Sequence, residues 1–321
     1  MPLTPASLRG KEMVPQHMKQ PLWLKRLIKR LTVQVIYGYA RFAGRHGMTA
    51  MARHGDRLGR LHYLLSPLHR RRLGRQIARL LEEKPSSPRI TAILRDSYRI
   101  SDRAIVEVMA FSAGVVTADE LASATTVTGA EALAEVLESG SGAILLGMHM
   151  GNVFAFLSEL DRRGLPISVI AYQSRKLPDG FFEDMVAHTD METIQARPER
   201  AAYYALSKAL KRGRATFIPV DQIHKSGGVE TIFLGKRVNM PGGPVALARK
   251  LGVPIFPVFL DAADPEWKFR IGEAVRLNGE RSLEEDTADV AAILDRFIRA
   301  NPELWSWHQR RWHQYAFAAD P

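Results

Sequence analysis

Three short stretches carry side chains able to do chemistry. The first is Ala143-Ile144-Leu145-Leu146-Gly147-Met148-His149-Met150-Gly151-Asn152. Its five apolar or small residues read as a buried strand. A histidine stands where that strand would end, and Gly151-Asn152 follows. Imidazole titrates near neutrality, so a strand-end histidine is a candidate general base. The second stretch is Asp221-Gln222, which follows an apolar run over 215–220. The third is Met240-Pro241-Gly242-Gly243-Pro244, a glycine pair that opens a helix. Backbone N–H groups exposed there can hold an anion or a developing oxyanion. Taken singly, each has a plainer reading: a structural histidine, a cap or loop anchor, and a turn. Taken together they share a logic, because parallel strands deliver their carboxyl ends to one sheet edge, where His149 and Asp221 can meet.

The elements around these stretches predict an α/β fold with a mainly parallel central sheet flanked by helices. Strands are expected at 143–147, 167–171, 192–195, 215–220 and 253–260. Helices are expected between them, at about 153–163, 181–188, 199–212 and 244–251, and a further strand over 267–275 suits a sheet edge. Thr128-Gly129-Ala130-Glu131 and Ser282-Leu283-Glu284-Glu285 both have capping-box spacing and each should start a helix. Ahead of the sheet, 22–81 is helical in character, with breaks expected at 55–59 and at Ser66-Pro67. Ser87-Pro88 is a cap and first-turn pair that opens a helix to about Tyr98. A second helix should run over 102–111. The chain thus divides into a flexible lead-in (1–21, four prolines), a basic, membrane-associating helical region (22–127) and an α/β domain (128–321).

Composition narrows the chemistry. The 321 residues include no cysteine, which excludes disulfides, thiolate catalysis and cysteine-held metal. No P-loop, dinucleotide fingerprint or Gly-x-Ser-x-Gly elbow is present, and no histidine pair at metal spacing flanks His149. The net charge is +11, unevenly spread. Residues 1–84 hold 18 of the 45 Lys+Arg and 4 of the 34 Asp+Glu, a net +14, and the remainder is −3. Such asymmetry points to an anionic surface as partner. Within 22–43 the longest uncharged run is 31–40, about half of the ~20 residues that cross a bilayer. Trp23, Leu24, Leu27, Ile28 and Leu31, interleaved with Lys25, Arg26, Lys29 and Arg30, read either as an interfacial helix or as a plain surface helix.

In order, these motifs resemble the lauroyl/myristoyl acyltransferases of lipid A biosynthesis. That group is a branch of the lysophospholipid acyltransferase superfamily that also includes phosphatidylinositol mannoside acyltransferases. The family's His-Leu-Gly-Asn-Trp-Glu stands here as His149-Met150-Gly151-Asn152-Val153-Phe154, and its Asp-Gln as Asp221-Gln222. Its Phe-Gly and Gly-Pro-Ala-x-Leu-Ala pieces are similar to Phe233-Leu234-Gly235 and Gly243-Pro244-Val245-Ala246-Leu247-Ala248. Its apolar strand is similar to Val253-Pro254-Ile255-Phe256-Pro257-Val258-Phe259. Its closing Pro-Glu, Trp and basic pair resemble Pro302-Glu303, Trp305 or Trp307, and Arg310-Arg311.

The resemblance implies transfer of a fatty acyl chain from an acyl carrier protein or coenzyme A thioester to a lipid or glycolipid hydroxyl or amine. It implies no cofactor beyond that co-substrate, and His149 as base. Asn152, Gln222, Arg175, Gly242 and Gly243 are the expected substrate-binding residues. It also implies work at the cytoplasmic face of the inner membrane, with an anionic bilayer, acyl carrier protein and the acceptor lipid as partners and no nucleic acid. One position departs from the pattern: the carboxylate expected five residues after His149 is Phe154. Asp221 is the expected replacement. Glu159 is a poor one, about 140° around the helix from Phe154, and Glu183 and Asp184 are distant third choices. The alternative reading is a catalytically inactive relative that binds lipid or acyl carrier.

Overall fold

The computed structural model describes residues 22–171, 181–187, 189–222, 228–277 and 279–308. The expected lead-in over 1–21, Arg175 and Arg310-Arg311 lie outside them. Helices α1 (Leu22–Gly44), α2 (Met48–Leu65), α3 (Pro67–Leu80) and α4 (Pro88–Ser112) come first, followed by the short α5 (Ala118–Ser123). Ser87 caps α4, its side chain accepting from the Ile90 N–H at 3.2 Å. The two helices expected over 88–98 and 102–111 are one 25-residue helix. The expected break at 55–59 is also absent, because Gly55 and Gly59 lie inside α2. Each glycine costs about 1 kcal/mol of helix propensity, but here the missing side chains let two backbones touch. A Cβ on Gly59 would sit 2.5 Å from Arg99 Cα, and one on Gly55 would sit 2.5 Å from Arg103 Cα. The break expected at Ser66-Pro67 is present, between α2 and α3. Among the described residues no helix is long and apolar enough to cross a membrane.

The sheet follows. Its elements are β1 (Thr125–Thr128), α6 (Glu131–Glu138), β2 (Ala143–Gly147), α7 (Val153–Arg162), β3 (Ile167–Ala171), α8 (Phe181–Val186) and β4 (Glu192–Gln195). They continue with α9 (Glu199–Lys211), β5 (Ala215–Pro219), β6 (Val229–Phe233), β7 (Lys236–Met240), α10 (Gly243–Leu251), β8 (Ile255–Ala262), β9 (Trp267–Ile271) and α11 (Leu283–Ala300). Seven strands form one sheet in the order β1-β9-β8-β2-β5-β3-β4. Every neighbouring pair is parallel except β8 with β9. The fold is therefore α/β with a mainly parallel sheet, as the strand–helix alternation predicts. β2 is its middle strand, and all five of its residues are buried. Losing one of those leucines to alanine would cost about 2–5 kcal/mol.

Three local expectations are corrected. Thr128 does not cap α6; it pairs with Arg270 in the β1–β9 ladder, and α6 has Ala130 at its N-cap with no side-chain cap. The cause is Gly129, at φ +74°, where the chain leaves β1 so close to Ile271 that a Cβ would lie 2.3 Å from its carbonyl oxygen. β9 is not an edge strand, since β1 covers it. Strand β1 also precedes the boundary expected at 128 and belongs to the sheet. β6 and β7, to which the sequence reading gave no element, form a separate hairpin closed by Leu234 and Gly235 at φ +52° and +72°. That is the positive-φ pair a two-residue turn requires. At Ser282 the capping box is present as expected.

The α2–α4 crossing makes a direct test. Gly59→Ala should destabilise the protein by about 1–3 kcal/mol through overpacking. Gly38→Ala, whose Cβ would meet nothing within 4 Å, should be neutral or slightly stabilising. Urea melts of the two variants check this, and equal midpoints would refute the close crossing.

Candidate active site

The chain leaves β2 at Gly147 and must turn sharply into α7. Gly151 makes the turn at φ +51°, packed so tightly that a Cβ would fall 2.8 Å from both Leu260 and Trp267. Asn152 then caps α7, its Oδ1 accepting from the Ala155 N–H at 3.1 Å. This turn presents His149 at the carboxyl edge of the sheet. β5 is parallel to β2 and in register with it, with Gly147 opposite Pro219. Two residues past Pro219, Asp221 arrives beside His149.

The imidazole Nδ1 lies 2.7 Å from Asp221 Oδ1. A buried carboxylate only accepts, so Nδ1 carries the proton and donates it there. The His149 backbone N–H donates to Asp221 Oδ2 at 2.9 Å, and Trp305 Nε1–H donates to the same oxygen at 2.8 Å. In the neutral ring Nε2 then holds the imidazole lone pair, and the Gln222 side-chain amide lies 2.9 Å from it as donor. The His149 side chain is 27% exposed and that of Asp221 2%. One end of the imidazole is thus sealed and the other reaches the surface. Burial pushes the Asp221 carboxyl up, but the neighbouring His149 charge and the hydrogen bonds from His149 and Trp305 outweigh it and hold it below its ordinary value.

Trp305 is set by a single 3₁₀ turn over Pro302–Leu304 and by an antiparallel bridge to Met150. The Ser306 N–H also donates to the His149 carbonyl at 2.9 Å. The closing Trp motif thus belongs to the site.

The remaining expected residues fall in different places. Phe154, at the position where the family pattern has a carboxylate, is half-buried between Phe111 and Phe182, with ring centroids 6.5 and 6.2 Å away. Glu159 is buried, but it is held by Arg162 and Arg163 at 2.6 and 2.9 Å. Glu183 instead accepts from Gln195. Asn152 is fully buried and engaged at both ends, so it shapes the turn from within. Gly242 and Gly243 open α10, which runs back to the start of β8; the topology puts them at the same carboxyl edge as His149.

Sequence reading missed Glu107. This fully buried carboxylate on α4 accepts from Arg103 Nε at 2.8 Å, Asn152 Nδ2 at 2.9 Å and Trp267 Nε1 at 2.6 Å. It ties the helical region to the turn that carries His149. Its one signal in the sequence is an acid set among Val106, Val108 and Met109 on an otherwise apolar stretch.

The fold and site define an α/β protein whose histidine–aspartate pair stands at the carboxyl edge of a parallel sheet. The chain belongs to the bacterial lipid A biosynthesis acyltransferase family, whose model matches residues 16–314. It is similar to a phosphatidylinositol mannoside acyltransferase of Mycobacterium tuberculosis, 27% identical over 197 residues, which is 58% of this chain and 59% of the relative. It is also similar to the protein of the same name from Mycolicibacterium smegmatis, 26% identical over 183 residues, 55% of this chain and 58% of the relative. The chain thus spans less than two thirds of the length of these relatives.

The Asp221 shift fixes a pH dependence. A carboxyl held below its ordinary value of 3.8 contributes stability that is fully present above that value. The contribution is lost as pH falls through the lower, folded value. Asp221→Asn should therefore melt below the parent at neutral pH, and the gap should narrow in acid below about 3.8. Melting curves from pH 7 to pH 3 test this; a gap constant across the range would contradict it.

Proposed function

We propose that this protein is a membrane-associated acyltransferase that moves a fatty acyl chain from a thioester, on acyl carrier protein or coenzyme A, to a lipid or glycolipid hydroxyl or amine. The observation that carries the reading is the His149–Asp221 pair. Its geometry leaves Nε2 as the basic nitrogen at the surface, with the carboxylate fixed behind it. The acceptor O–H or N–H displaces the Gln222 amide from Nε2 and gives its proton to that nitrogen as its heteroatom attacks the thioester carbonyl carbon. Asp221 holds the ring and offsets the imidazolium charge that forms. The tetrahedral intermediate then collapses, the C–S bond breaks, and the thiolate leaves with the proton from Nε2. The products are the acylated acceptor and a free thiol. Gln222, whose amide sits at Nε2, and the backbone N–H groups at Gly242 and Gly243 are the donors for the oxyanion. Arg175 is proposed to contact an anionic group of the acceptor. No cofactor enters this scheme.

The surface supports docking on a bilayer. Leu61, Leu64, Leu65 and Leu68, at the α2–α3 corner, are 51–79% exposed. Residues 57–81 contain seven arginines and no carboxylate. Apolar side chains collared by cations suit the interface of an anionic membrane. The proposed location is the cytoplasmic face of the inner membrane. The competing reading, an inactive relative that only binds lipid or acyl carrier, rested on Phe154. Asp221 weakens it by occupying the orienting role that Phe154 cannot fill.

The test uses purified protein, a labelled acyl thioester and total polar lipid as acceptor, with mass spectrometry of the products. His149→Ala should abolish acyl transfer. Asp221→Asn should lower the turnover by up to about 10⁴-fold, by analogy with the loss of the orienting acid in serine hydrolases. Full transfer in His149→Ala would overturn the proposal. A parent that is inert and gains activity on Phe154→Glu would establish the competing reading.

A further inference from the structure

A second polar cavity lies away from His149, where the end of α3, the tip of the β6–β7 hairpin and the last turn of α11 converge. Its volume is about 170 Å³, and its walls include Gln76, Arg79, Glu82, Lys236, Arg299 and Trp307. Three cations and the Glu82 carboxylate thus line it, and one of the cations, Arg299, is ion-paired with Asp295. Arg299 donates Nε–H to Asp295 and Nη1–H to the Leu80 carbonyl, both at 2.9 Å, which fixes the guanidinium plane. Its Nη2 points to the hairpin tip, 3.4 Å from where a Cβ on Gly235 would stand. Gln76 is the second observation. Only 6% of it is exposed, and its Oε1 is buried without a hydrogen-bond partner. An amide turned over by 180° presents NH₂ in place of oxygen, so Gln76 can meet either an acceptor or a donor on a ligand.

We propose that this cavity binds a phosphate ester. Fixed guanidinium groups match phosphate oxygens in geometry and charge. The volume equals about five or six waters at ~30 Å³ each, enough for a phosphate and the first atoms of its ester. A buried amide without a partner is costly, and Gln76 meets a ligand once its side chain turns so that the amide, sealed from solvent in this structure, opens into the cavity. Trp307 closes one wall. Its ring lies 4.7 Å from that of Trp305, the donor to Asp221, so an occupied cavity would abut the packing that supports the catalytic pair. Phosphate binding itself does not depend on acyl transfer, but the sources considered for it rest on that reading. Two sources share this chemistry: the phosphopantetheine arm of a thioester donor and a phospholipid headgroup.

The experiment is ³¹P line broadening with the full chain at constant ionic strength, using inorganic phosphate, 4′-phosphopantetheine and glycerophosphoinositol as probes. Saturable broadening is expected, weakened about tenfold or more by Arg79→Glu and by Lys236→Glu, since charge-assisted contacts are the strong ones. Where a reversal unfolds the chain, Lys236→Gln serves in its place. Tighter binding of 4′-phosphopantetheine assigns the site to the thioester donor. Tighter binding of glycerophosphoinositol assigns it to a lipid headgroup, and equal binding of all three to free phosphate. No saturable broadening with any probe, or broadening that the variants leave unchanged, would overturn the proposal.

Discussion

Everything at the site depends on one buried carboxylate. Asp221 is sealed from water, and an ion in that position is costly unless both oxygens are satisfied. Oδ1 receives the His149 ring, while Oδ2 receives the His149 backbone and the Trp305 indole. Those three donors come from two distant parts of the chain, the end of β2 and the segment after α11. The parallel β2–β5 ladder supplies the alignment, and the bridge from Met150 to Trp305 locks the third side. Removing the ring contact would leave Oδ1 without a donor, and removing either contact to Oδ2 would leave that oxygen one donor short, so the carboxylate enforces the geometry that surrounds it.

Glu107 repeats the same logic from the opposite layer. It too is buried and held by three donors, one of them Asn152 in the turn that follows His149. Its neighbour Arg103 lies over the Trp267 ring at 4.4 Å and is packed against Gly55 of α2. The basic helices are therefore joined through α4 to the turn that carries His149 by contact and hydrogen bond, not by a loose linker. The proposed bilayer-facing corner and the histidine belong to one continuous framework.

How much of this was legible in the sequence follows from how local each signal is. β2, β3 and β5 announce themselves as apolar runs because both faces of a parallel strand are covered. The strand ends placed His149 and Asp221 at one edge, and the Ser282 box marked α11. What stayed hidden depended on distant partners. Gly55 and Gly59 look like helix breakers until α4 is laid against them. β1, with only Thr125-Thr126-Val127-Thr128, is too short and polar to declare itself without β9 beside it. Glu107 reads as one more helix acid until Asn152, Trp267 and Arg103 converge on it. Phe154 leaves its position without a carboxylate in the sequence, but only the end of β5 shows which carboxylate lies against the His149 ring.

A carboxylate partner on a different strand has a consequence for how the protein fails. A partner five residues from the histidine would share its turn and could persist in a partly opened chain. Asp221 is 72 residues away in sequence, on a different strand. The pair is therefore a property of the assembled sheet and has no local existence. Any fluctuation that parts β2 from β5 dissolves it at once, which makes the His149 imidazole a reporter of sheet integrity. Fragments and half-folded forms of this chain carry the histidine but not the pair.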